Sequence, residues 1–226
     1  MHLNFPHHPE WEIDPNPKVN EILKQPFHFI GKGAQCYVFE SKDGNYVVKL
    51  FRYNQPCVPQ KVVDLFNACK MAYDNLKDET GLVYIHLNPT PMNLPILHCK
   101  DAVGRRYKFC LDQARFAVQK KAKSFRTVLV EAKKSPIEME RRINELISLL
   151  ESRTKKGVMN TDPQLSRNFG FLESQAIEFD FGNYRLSCDL DRKQEVKKYT
   201  HRLRRWLKRN APEWVAYLDI RVESLQ

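Results

Sequence analysis

Residues 30–51, I-G-K-G-A-Q-C-Y-V-F-E-S-K-D-G-N-Y-V-V-K-L-F, constrain the fold more than any other stretch of this chain. Apolar, alternating runs are broken first by a glycine-rich turn at Gly31 and Gly33, then by Asp43-Gly44, a strong hairpin signal. The expected order is strand, glycine-rich turn, strand, tight turn, strand. Alternation in the third strand puts Val47, Lys49 and Phe51 on one face and Tyr46, Val48 and Leu50 on the other. A lysine in such a strand needs a counter-charge or an anionic ligand, because an unpaired ammonium is costly to bury. Glycines keep backbone N–H groups approachable, and a lysine facing such a turn suits a polyphosphate.

This stretch resembles the start of a protein kinase small lobe. The family pattern G-x-G-x-x-G-x-V stands as Gly31-Lys32-Gly33-Ala34-Gln35-Cys36-Tyr37-Val38, with Cys36 in place of the third glycine, and the V-A-I-K strand stands as Tyr46-Val47-Val48-Lys49. The resemblance implies a two-lobed α+β fold. Its N-lobe would be a five-stranded antiparallel sheet and its C-lobe reduced and mainly helical. The boundaries expected are an arm over 1–26, the nucleotide-binding lobe over 27–114 and the helical lobe over 115–226.

A length of 226 residues with 42% hydrophobic and 11% aromatic content suits a folded chain of one or two small lobes. No apolar run is long enough to span a bilayer and the first residues lack an apolar signal core. Cys36, Cys57, Cys69, Cys99, Cys110 and Cys188 form no C-x-x-C pair and read as reduced, mostly buried thiols of a cytoplasmic protein. A secreted effector remains open as an alternative. Seven histidines, His7-His8 among them, form no zinc-binding spacing. The net charge of +10 calls for an anionic partner: nucleotide phosphates, nucleic acid or acidic membrane.

Along the chain, Pro6, Pro9, Pro15 and Pro17 mark an extended arm with a short amphipathic piece at 19–23. Pro56 and Pro59 precede a helix with Val62, Leu65, Phe66, Cys69, Ala72, Tyr73 and Leu76 on one stripe. By resemblance this helix should offer Lys49 a carboxylate. Its body holds no glutamate, which leaves Glu79, if the helix runs long, or Asp64. Residues 94–111 read as a second hairpin turning at Val103-Gly104, completing the sheet. Asp112-Gln113-Ala114 would then be the hinge meeting the adenine edge; the rival placement makes 126–130 the last strand, with the hinge at Glu131-Ala132. Residues 124–134 and 136–153 have helical periodicity. Ser135, Pro136 and Glu138 open the second of these helices and Gly157 stops it.

In 157–184 a short strand, Ala176-Ile177-Glu178-Phe179, ends on a literal Asp180-Phe181-Gly182. Twelve residues earlier stands Asn168, after a loop that starts at Asp162. Carboxylate, amide and carboxylate gathered there make sense as hard oxygen ligands and a base for phosphoryl transfer. By resemblance Asp180 and Asn168 would hold Mg2+, and Lys49 would hold the phosphates of ATP. Gly31, Lys32, Gly33 and Ala34 would cover the nucleotide, with Val38, Val47 and Gln113 beside it, and Asp162 would serve as base. Departures are equally plain. The family's H-R-D is Asn160-Thr161-Asp162, base and asparagine are six residues apart instead of five, and the lysine two after the base is Gln164. Arg167 is one candidate to replace that cation.

Ala211-Pro212-Glu213 spells the family's A-P-E, but 191–209 reads as a charged helix and only thirteen residues follow Glu213, so the match is taken as chance. The leading expectation is an ATP- and magnesium-dependent phosphotransferase acting on a hydroxyl, its acceptor probed first among proteins. The alternative is a pseudokinase that binds nucleotide or scaffolds. A third reading assigns the basic helix 197–209 to nucleic acid or acidic membrane.

Overall fold

A computed structural model describes residues 7–52, 59–173 and 175–225. Pro6, Pro56 and Cys57 of the sequence reading lie outside the described residues. The chain forms two compact units. One comprises the residues up to Lys77 with Gly81–Lys121, the other Asp78–Thr80 with the residues from Ala122 onward.

In the first unit, helix α1 (Pro17–Leu23) is capped by Asn16, whose side chain accepts from Val19 N at 3.0 Å, and it buries Val19, Ile22 and Leu23. Strands β1 (Pro26–Lys32), β2 (Cys36–Ser41) and β3 (Tyr46–Phe51) follow as expected, and Gly44 turns β2 into β3 with φ of +73°. Helix α2 (Pro59–Asn75) stops before Leu76, and α3 (Lys77–Thr80) is a separate turn of helix. Then come β4 (Leu82–His86), β5 (Ile96–Lys100), β6 (Arg106–Cys110) and, after a 3-10 turn at Leu111–Gln113, β7 (Phe116–Lys120).

The sheet has seven strands in the order β4-β7-β3-β2-β1-β5-β6, not five. The sequence reading missed β4 and β7. The hairpin β5–β6 does not complete the sheet beside β3; it extends the far edge through a parallel pairing of β1 with β5. With β2 and β7 on its two sides, β3 is central and buried: Val48 is fully enclosed, and Val47 and Leu50 are each 7% exposed. The expected hinge is corrected in the same way. Asp112-Gln113-Ala114 precede the last strand, and Asp112 accepts from the Met92 and Leu94 N–H groups at 3.2 and 3.1 Å. The chain passes between the units after Lys121, and the rival site falls inside helix α4 (Phe125–Ala132).

The second unit begins with β8 (Lys123–Ser124) and α4, which Ser124 caps at Thr127 N. Helix α5 (Pro136–Lys155) buries Ile143, Leu146, Ile147 and Leu150 and ends at Gly157, whose φ is +70°. There follow β9 (Val158–Asn160), α6 (Leu165–Asn168), β10 (Phe169–Phe171), β11 (Ala176–Glu178) and β12 (Tyr184–Leu186). Helices α7 (Arg192–Asn210) and α8 (Val215–Glu223) close the unit, separated at Ala211-Pro212. One core joins α4, α5, α7, α8 and β10 through residues such as Phe125, Leu150, Phe169, Tyr199 and Leu203.

Among the described residues no helix is long and apolar enough to cross a membrane. Of the five cysteines described, Cys69 and Cys99 are buried but Cys110 and Cys188 are exposed. The expectation of mostly buried thiols therefore holds for the first two only. Burial pushes the Cys99 thiol up to about 12.

Candidate functional site

The residues expected to meet a nucleotide belong to the first unit. β1 carries a bulge between Phe29 and Gly31, and the connection to β2 closes by Gly33 N donating to Cys36 O at 2.9 Å. Neither Gly31 nor Gly33 has a left-handed backbone, and a Cβ added at either would meet no described atom within 4 Å. Backbone geometry and packing therefore leave both free to carry a side chain. What glycine provides there is an open approach to the main chain. Lys32, Gly33 and Ala34 are exposed, and Val38 pairs with Lys49 across the β2–β3 ladder. The ladder accordingly ties Lys49 to the strand that leaves the glycine turn, and Val47 is buried beside it. Gln113 lies exposed in its 3-10 turn.

In the second unit the structure brings Asp162, Asn168 and Asp180 into one loop cluster. The Asn168 side chain is 3% exposed, and its Nδ2 donates to the Asp162 carbonyl at 3.0 Å and to Asp162 Oδ2 at 3.2 Å. The Asn168 backbone carbonyl accepts from Phe179 N at 2.8 Å and Asp180 N at 3.4 Å. The asparagine thus holds both carboxylate-bearing segments. The antiparallel pair β10–β11, with Phe169 opposite Glu178, sets that register.

Asn160, which stands where the resemblance would have histidine, makes three side-chain hydrogen bonds. Its Nδ2 donates to Glu178 Oε1 at 2.7 Å and to the Asp180 carbonyl at 3.1 Å, while its Oδ1 accepts from Asp162 N at 2.8 Å. A single buried amide therefore links the segment bearing Asp162 to the backbone of Asp180. The Asn160 carbonyl accepts from Tyr199 Oη at 3.0 Å and Lys198 Nζ at 3.3 Å, which pins it to α7.

Beneath this lies an ionic cluster that the sequence reading missed. Arg153 is fully buried and pairs with Glu178 and, at 3.1 Å, with Glu195. Tyr184 Oη donates to Glu178 Oε2 at 2.9 Å. Complete burial pushes the Glu178 carboxyl up, against Arg153, Asn160 and Tyr184, which favour its ionised form. The signal was present in the chain: a glutamate inside the apolar run Ala176–Glu178 requires a partner once that strand is buried.

Two other expectations meet specific findings. Glu79 sits on α3, outside α2, because the α2 helix breaks at Leu76, whose φ is −132°. Its carboxylate is 4% exposed; Oε1 accepts from Ser152 at 2.5 Å and pairs with Lys156 at 2.6 Å. Asp64 accepts from Gln60 Nε2 at 2.8 Å. At Gln164, where the family has lysine, the cation in contact is Arg202 of α7, which donates to Gln164 Oε1, while Arg167 is exposed at the end of α6.

The donors fit a hard divalent cation. With its nitrogen committed to Asp162, the Asn168 amide leaves its oxygen as an acceptor near the Asp162 carboxylate, and the backbone of Asp180 is held by the same residue. Among the described residues no group of three or more His, Cys, Asp or Glu forms a metal site. Any such ion would rest on the mixed amide and carboxylate set.

The sequence matches no family model and no curated protein. Among solved structures the chain is similar to WbdD, solved with the kinase inhibitor LY294002, at 14% identity and a TM-score of 0.43, covering 79% of this chain and 36% of that one. It is also similar to the ROP18 kinase domain in complex with AMP-PNP and sucrose, at 18% identity and a TM-score of 0.44, covering 70% of this chain and 51% of that one. The chain spans about a third of the first and about half of the second.

Proposed function

We propose that the protein is a phosphotransferase of protein-kinase type, moving the γ-phosphoryl group of ATP, with Mg2+, to a hydroxyl of a protein acceptor. The observation that carries this reading is Asn168, whose side-chain amide holds Asp162 and whose backbone carbonyl holds the segment bearing Asp180. Asp162 accepts the proton of the attacking hydroxyl as its oxygen bonds to phosphorus and ADP leaves. Lys49 and the open turn at Gly31 and Gly33 bind the phosphates. Asn168 and Asp180 would hold the metal, which when bound would supply positive charge against the transferred group. Asn160 keeps the two loops in register.

The test is thermal melting with ATP, with and without magnesium, followed by transfer assays. Wild type gains a metal-dependent rise in Tm by ligand linkage, and Asp180→Ala and Lys49→Ala lose it. Asp162→Ala keeps the rise and loses transfer by about 100-fold or more. Full transfer by Asp162→Ala would remove the base assignment.

A second reading, a pseudokinase, is favoured by one observation: Asn160-Thr161-Asp162 stands where the kinase pattern has H-R-D. A metal-dependent shift without transfer to any acceptor would select it.

A further inference from the structure

Helix α7 carries cations on two sides, and the second unit treats them differently. Toward α8, Lys193 and Lys197 reach Glu223 at 2.9 and 2.7 Å, and Arg204 makes two 2.7 Å contacts with Asp219. Arg202, Arg205 and Arg209 lie on another face at helical spacing, and with Arg126 of α4 they surround a recess of about 620 Å³. His201 and Trp206 also line it. Among the described residues, no carboxylate pairs with any of these four arginines. Arg202 donates to Gln164, and Arg205 Nη2 lies 3.0 Å from His201 Nε2. Like charges a turn apart on a helix with no counter-ion are unfavourable by themselves.

We propose that this recess binds single-stranded nucleic acid. Guanidinium forks match phosphate oxygens, and Trp206, half-buried against the core, lines the recess with part of its ring, on which a base can stack. The three α7 arginines span about 10 Å along the helix axis, long enough for successive phosphates rather than one. An acidic membrane is a poorer occupant. The apolar residues of α7, Val196, Leu203 and Leu207, are buried in the core, so the helix has no apolar face left to insert. The recess lies wholly within the second unit, and the inference does not depend on the phosphotransfer reading.

The test is fluorescence anisotropy of a labelled oligouridylate with the full chain between about 50 and 200 mM salt. Contacts to three or four phosphates predict a slope of log K against log salt of about −2 to −3. Arg205→Gln/Arg209→Gln should weaken binding by about tenfold or more and reduce the slope by about 1.4, at unchanged Tm. Arg105→Gln/Arg106→Gln, which removes the same charge from exposed positions of the other unit, should leave binding intact. The proposal is overturned if wild type fails to bind or if both double variants weaken binding equally. It is also overturned if an oligoglutamate peptide or anionic vesicles displace the oligonucleotide at matched charge.

Discussion

The Asn168 amide nitrogen lies 3.0 Å from the Asp162 carbonyl oxygen and 3.2 Å from its carboxylate, while the Asn168 carbonyl anchors the backbone entering Asp180. Buried partners left unpaired cost about 1–3 kcal/mol. Asn168→Ala should therefore lower Tm and also erase the magnesium-dependent shift with ATP. Asn168→Asp should fail differently, by setting a second carboxylate against Asp162; added magnesium should restore part of its Tm, which calorimetry with and without the metal would read.

Arg153 has no exposed surface and faces Glu178 and Glu195. Arg153→Met leaves two buried carboxylates without their cation, a loss of about 3–5 kcal/mol. Urea unfolding should show the drop. Arg153→Met with Glu178→Gln should recover part of it, and equal stability of the single and double variants would show that the charges are not coupled.

Gly31→Ala and Gly33→Ala separate ligand approach from folding. A Cβ at either site meets no described atom within 4 Å, and neither φ is positive, so Tm without ligand should hold or rise slightly. The nucleotide-dependent rise should shrink. Gly170→Ala is the contrast: its Cβ would stand 2.5 Å from the Lys123 carbonyl and 2.9 Å from Ala122 Cβ, so folding itself should suffer.

The clasp of α8 onto α7 should be sensitive to acid. Hydrogen bonds from Lys197 and Lys193 bring the Glu223 carboxyl down to about 2, and Arg204 lowers that of Asp219. Groups whose folded pKa is depressed stabilise above their ordinary value near 4, and the contribution is lost as pH falls toward the folded value. Amide exchange over residues 215–223 should accelerate from pH 5 to pH 3. Because both carboxylates are exposed, 1 M salt at neutral pH should produce part of the same change.

Local chemistry made much of this protein readable without coordinates. Asp43-Gly44 specifies a tight turn through a glycine that accepts positive φ, and β2 and β3 follow from alternation around it. The caps Ser124 and Ser135 and the stop at Gly157 mark α4 and α5 because each acts within a few residues of its own helix end. Asn168 and Asp180-Phe181-Gly182 were singled out through a resemblance, whereas their approach depends on the pairing of β10 with β11. Pairing between distant segments was left to the tertiary structure. β7 has no neighbour along the chain to reveal it, since it lies between β3 and β4, and so the strand count and the passage after Lys121 were misread. The partners of Arg153, Glu79 and Asn160 were hidden for the same physical reason. A buried charge or amide states that it needs a partner, but only the folding of distant segments around it decides which one it receives.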